Sequence, residues 1–77
     1  MSANNRYPGP WEYYVLTETP NFSIELTHYT PATYRTQRVD CASLNERHAR
    51  FKEIVVDLLN QGWEPVTEGS FKRPFSD

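Results

Sequence analysis

The stretch Ser43–Phe75, SLNERHARFKEIVVDLLNQGWEPVTEGSFKRPF, decides the fold, because it reads as one amphipathic helix, a glycine stop and two short strands. Ser43 followed by Glu46 has the spacing of a capping box, in which each side chain can satisfy a free backbone N–H at the helix start. Leu44, Phe51, Ile54, Val55, Leu58 and Leu59 recur at helical spacing and form an apolar stripe, with Arg47, Arg50, Lys52, Glu53, Asp57 and Asn60 mostly off it. Glu46 can also pair with Arg50, but such pairs contribute only about 0.2–0.5 kcal/mol, so burial of the stripe carries the helix. Gly62 falls where a helix end needs positive φ, and Trp63 falls where the next residue packs back, against Leu58. Trp63–Thr67 then reads as a strand that Pro65 confines to an edge or bulge. Glu68-Gly69 reads as a turn, and Ser70–Pro74 as a last strand.

Working outward, residues 1–10 form a polar, proline-bearing arm and residues 11–77 a single domain. Trp11–Thr17 is a strand with Trp11, Tyr13 and Val15 on one face and Tyr14 and Leu16 on the other. Because both faces are partly apolar, this strand belongs inside a sheet or at an oligomer contact. Glu18–Asn21 has turn composition. Beyond it Phe22, Ile24 and Leu26 alternate with Ser23, Glu25 and Thr27, which predicts one buried and one solvated face. Thr33–Val39 has strand-forming residues without an apolar face, the pattern of a short edge strand or extended loop. The expected fold is therefore α+β, a small antiparallel sheet of four or five strands with one helix on one face, in the order β-β-(β)-α-β-β.

Size and composition narrow the function classes. A domain of 77 residues buries only roughly 60% of its unfolded surface, yet two tryptophans, five tyrosines and four phenylalanines supply large apolar area per side chain. One cysteine, Cys41, excludes an intrachain disulfide and a cysteine-based zinc cluster, which leaves self-association as the expected supplement to a small core. Ten acids and eight bases without a block of one sign argue against generic phosphate binding. No apolar run has the length of a membrane span, and the opening MSANNRYPGP lacks a signal-peptide hydrophobic region. Cytoplasm is the expected compartment.

Three segments together resemble a family of short bacterial proteins known only as domain of unknown function 4177. They are Trp11, Glu12, Tyr13 and Val15; Leu59, Asn60, Gly62, Trp63, Glu64 and Val66; and Phe71, Lys72, Arg73 and Pro74. The resemblance implies an antiparallel sheet backed by one helix, and implies no activity. The chain departs from the family pattern between Leu16 and Asp40 and at Pro65, so a partner specific to it would be read by that excursion.

No catalytic, cofactor or metal motif stands out, and the expected function is a non-enzymatic protein-interaction or assembly module binding a partner or itself. His28 could meet Glu25, Asp40 or Cys41 only by coincidence of packing, and His48 between two arginines reads as solvated helix face. Cys41 just ahead of the helix reads as a small apolar residue at the rim of the core. Tyr7, Trp11 and Phe22 are candidate interface anchors, since rigid aromatics dominate binding hot spots. The alternative is a nucleic-acid or nucleotide binder in which Arg35, Arg38, Arg47 and Arg50 hold phosphates while Tyr29 and Tyr34 stack on bases.

Overall fold

A computed structural model describes residues 9–76. The proposed arm and Tyr7 lie outside the described residues, apart from Gly9 and Pro10, and the Pro10 carbonyl accepts a hydrogen bond from the Phe75 N–H at 3.0 Å. The elements are β1 (Trp11–Glu18), β2 (Ser23–Tyr29), β3 (Tyr34–Asp40), α1 (Leu44–Asn60), β4 (Glu64–Thr67) and β5 (Ser70–Pro74). All strand pairs are antiparallel, in the spatial order β3-β2-β1-β5-β4. The α+β fold and its strand–helix–strand order are as the sequence predicts, and Thr33–Val39 resolves into an edge strand one residue further on.

The helix carries the chain from one edge of the sheet to the other. Seventeen helical residues span about 26 Å, which exceeds the roughly 19 Å width of five paired strands, so α1 crosses the sheet in a single pass. Its ends form as their residues dictate. The Ser43 hydroxyl accepts from the Glu46 N–H at 3.1 Å, while the Glu46 carboxylate accepts from the Ala42 N–H at 3.0 Å. Glu46 is thereby committed to the cap, and Arg50 pairs with Glu53 at 2.8 Å in place of the expected Glu46. At the other end Gly62 takes φ +91°, with Trp63 N–H bonded to Leu58 C=O at 3.0 Å and Gly62 N–H to Leu59 C=O at 3.1 Å. These two bonds are the Schellman pattern that a glycine in this position allows.

Alternation on β1 decides which face is buried. Leu16 is buried, and with Ile24, Leu26, Leu58, Trp63 and Phe71 it forms the core. Tyr14, Val39, Phe51, Ile54 and Val55 pack around that core. Among the described residues, no helix lies over the face bearing Trp11, Tyr13 and Val15. β1 is the central strand, which accounts for its having apolar residues on both faces.

Two expectations need correction. Phe22 does not continue the buried row of Ile24 and Leu26: it sits in the β1–β2 turn at φ +60° and is 43% exposed, while Ser23 is buried in its stead. The Ser23 N–H and hydroxyl are satisfied by the Thr19 hydroxyl at 3.3 and 2.6 Å. The helix stripe is also broader than the contact it makes: Leu44 and Leu59 are exposed, and only Leu58 is fully buried.

The turn between β4 and β5 lies tight against β1 at Gly69, whose carbonyl accepts from the Leu16 N–H at 2.7 Å. A Cβ there would stand 2.8 Å from the Leu16 carbonyl oxygen, a backbone atom that cannot swing away. Gly69→Ala is therefore expected to push β5 off β1 and to destabilise the domain by about 1–3 kcal/mol, the usual cost of overpacking. Urea unfolding checks this, and a midpoint equal to that of the native chain would refute it.

Candidate interaction surface

The face of the sheet turned away from α1 is built by the strand register. Tyr13 lies opposite Tyr29, and Tyr29 lies opposite Tyr34, so three strands place a tyrosine at the same height. The row continues through Lys72 and Glu64 on the far strands. Tyr13, Tyr29 and Tyr34 are 40%, 44% and 71% exposed, and the rings of Tyr29 and Tyr34 stack with centroids 6.0 Å apart. One step along β1, the Lys72 ammonium stands 4.4 Å from the centre of the Trp11 ring. A second row, Val15, Thr27 and Thr36, flanks the tyrosines, with the two threonine hydroxyls 3.2 Å apart. Aromatic rings carrying a polar tip and fixed on a rigid sheet make good contact surfaces, because they bury much area while losing little side-chain entropy.

The arginines grouped in the sequence separate in space. Arg38 is on the open face and 3.4 Å from Asp40, while Arg35, one position out of phase on the same strand, belongs to the helix side. Arg47 folds onto the β1–β2 turn, donating to the Thr19 carbonyl and lying 3.4 Å from the Glu18 carboxylate. His48 approaches the same carboxylate at 3.5 Å. Arg50 is held by Glu53. Phe22 lies in the same β1–β2 turn, exposed, with its carbonyl accepting from the Cys41 N–H at 2.9 Å. Of the sequence candidates, the register brings together Trp11, Tyr29, Tyr34 and Arg38, and it adds Tyr13 and Lys72.

On the helix side, a second cluster had no signal in the sequence. Glu12 is buried, accepting from His28 Nε2 at 2.7 Å and from Arg73 Nε at 2.9 Å. Arg73 covers the Trp63 ring at 4.3 Å and donates to the Gln61 carbonyl at 3.2 Å. His28 stacks on Tyr14 with centroids 5.4 Å apart and meets Trp63 edge-on. Burial pushes the Glu12 pKa up, but the hydrogen bonds from His28 and Arg73 and the Arg73 charge outweigh it and hold the carboxyl below its ordinary 4.5. Every member of the cluster is engaged by another, which suits a structural clamp at the foot of the sheet. Glu25, Asp40 and Cys41 take no part, and among the described residues no group of three His, Cys, Asp or Glu could hold a metal.

A third feature is an open groove of about 670 Å³ where α1 overhangs the β4–β5 turn, floored by Leu16, Phe51, Val55 and Val56 and rimmed by Glu18, His48, Lys52 and Glu68. Its rim carries charges of both signs, with His48 3.5 Å from the Glu18 carboxylate.

Among the described residues, fold and surface together define an α+β domain with one helix, an open antiparallel sheet and an aromatic outer face. No family model, curated protein or solved structure matches the chain. Among the described residues no helix is long and apolar enough to cross a membrane.

Proposed function

We propose that the chain is a small non-enzymatic interaction or assembly module, a bacterial cytoplasmic protein akin to the domain of unknown function 4177 family, that seats a partner on the open face of its sheet. One observation carries this reading: the row Tyr13, Tyr29 and Tyr34, with exposed rings in register on three adjacent strands. A solvated sheet face normally alternates toward small polar and charged residues, and an aromatic row is the composition of a contact surface. The excursion between Leu16 and Asp40 contributes through Tyr29 and Tyr34, whereas Ile24 and Leu26 of its hairpin are committed to the core.

The nucleic-acid reading has less support. The open face carries Lys72 and Arg38 against Glu25, Asp40 and Glu64, so it lacks the positive excess that phosphate neutralisation needs. Arg47 and Arg50 are occupied by carboxylates on another surface. The test compares the native chain with Tyr13→Lys/Tyr29→Lys in a quantitative pull-down from the native host and in sedimentation velocity, after circular dichroism has verified the variant's fold. The expected outcome is a partner, or a second copy, held by the native chain and released at least about tenfold by the variant, because charging the centre of an aromatic contact costs more than 1.4 kcal/mol. Equal retention removes the reading. Salt-sensitive binding of a single-stranded oligonucleotide, lost on replacing Arg47 and Arg50, would favour the alternative.

A further inference from the structure

The two edges of the sheet are guarded unequally. β4 has four residues, carries Pro65 and changes register between Pro65 and Thr67, three devices that stop a further strand from adding. β3 has seven residues, no proline or glycine, and an unbroken register of seven pairs with β2.

The phase of that ladder shows what β3 presents to its outer side. Cys41 N–H bonds to Phe22 C=O, and Thr30 N–H bonds to Thr33 C=O. Antiparallel pairs alternate between hydrogen-bonded and non-bonded, so Arg35, Gln37 and Val39 are the residues that bond to β2. Tyr34, Thr36, Arg38 and Asp40 therefore aim their N–H and C=O groups off the edge. These four also place their side chains on the open face, at the end of the tyrosine row.

We propose that β3 pairs antiparallel with β3 of a second copy of this chain, about a two-fold axis at Gln37, to give a continuous ten-stranded sheet. This rests on the assembly reading above and names the partner for the edge next to that face. A second copy fits because the edge is self-complementary in one register. Centred on Gln37, the pairing sets Tyr34 opposite the second copy's Asp40 and Thr36 opposite the second copy's Arg38, and it uses all four outward-facing residues. A centre at Arg38 sets two guanidinium groups against each other, and a centre at Thr36 or Val39 leaves at least one outward residue of each copy unmatched. In the Gln37 register Arg38 also lies diagonal to the second copy's Tyr34, within reach of its ring. The axis is perpendicular to the sheet, so both helices fall on one side and both tyrosine rows on the other, offset from each other along the strands as Tyr34 is from Asp40.

Two substitutions test this in the full chain. The Thr36 backbone N–H donates no bond to β2, so Thr36→Pro leaves the domain's own backbone ladder whole while blocking the outer one. Gln37 meets its counterpart as a non-bonded pair with Cα atoms about 4.5 Å apart, within disulfide range. In a Cys41→Ser background, Gln37→Cys is therefore expected to form a covalent dimer under mild oxidation at least tenfold faster than Val66→Cys on the opposite edge. Sedimentation velocity is expected to show a native dimer, with Thr36→Pro at least tenfold weaker in association and unchanged in circular dichroism. Should Thr36→Pro fail to fold, the cross-linking comparison decides. A native chain that is monomeric at every concentration, or Gln37→Cys cross-linking no faster than Val66→Cys, overturns the proposal. Association lost in Tyr13→Lys/Tyr29→Lys but kept in Thr36→Pro overturns the edge pairing and leaves the face reading standing; the reverse pattern removes the face reading alone.

Discussion

Phe71→Ala is expected to leave the domain at or beyond the limit of stability, with a loss of about 3–5 kcal/mol. Phe71 is 2% exposed and is among the largest fully buried side chains. It stands opposite Tyr14 on one neighbouring strand and Pro65 on the other, within the core that Leu58 and Trp63 complete. The six buried apolar side chains among the described residues leave little to redistribute when the Phe71 ring is removed. A typical stability of roughly 0.05–0.15 kcal/mol per residue gives a chain of 77 residues about 4–12 kcal/mol in total, so this one cavity removes a large share. Urea unfolding followed by tryptophan fluorescence measures the loss. Val66→Ala, at an exposed position on the outer strand, serves as a control and should shift the midpoint by no more than about 0.5 kcal/mol. A Phe71→Ala loss below about 1 kcal/mol would mean that the core is organised around other side chains.

What the sequence makes legible is what neighbours in the chain decide among themselves. The Ser43 cap, the Gly62 stop and the alternation of Ile24 with Leu26 each rest on a few consecutive residues, and each forms as read. Phe22 shows the limit of the same rule: it extends a period-two pattern, but the turn takes one residue more than expected and leaves it at positive φ outside the strand. The helix stripe is legible as a stripe, but how much of it is buried depends on where a single helix crosses five strands, so Leu44 and Leu59 stay exposed. Features made by register are not legible at all. The tyrosine row needs Tyr13, Tyr29 and Tyr34 brought level by two hairpins. Glu12 finds His28 and Arg73 across separations of 16 and 61 residues. Conversely, arginines adjacent in sequence diverge, because successive strand residues face opposite sides and each helix arginine has a carboxylate within reach.

Glu12→Gln is expected to cost about 2–3 kcal/mol at neutral pH, with the loss shrinking as the solution is acidified. The carboxylate accepts from two donors that can both carry charge, and hydrogen bonds to charged groups contribute about 1.5–3 kcal/mol. An amide offers one acceptor oxygen and turns its NH2 toward the other donor, so one of the two bonds is lost. The cost stays below that of breaking a wholly buried ion pair, because the His28 and Arg73 side chains keep 37% and 36% of their exposure and can turn to water. The pH dependence follows from the direction of the shift. The folded carboxyl titrates below its ordinary 4.5, so the unfolded chain binds more protons in that range and stability rises with pH. The contribution of Glu12 is therefore complete above the unfolded pKa and is lost as pH falls through the lower folded value. Urea unfolding of both proteins from pH 7 down to pH 3 reads the difference directly. The gap should hold from pH 7 to 5 and close below about 4.5, with the native curve falling the more steeply of the two. A gap that persists undiminished at pH 3 would show that Glu12 acts by filling space, and equal stability at pH 7 would show that His28 and Arg73 do as well in water as against the carboxylate.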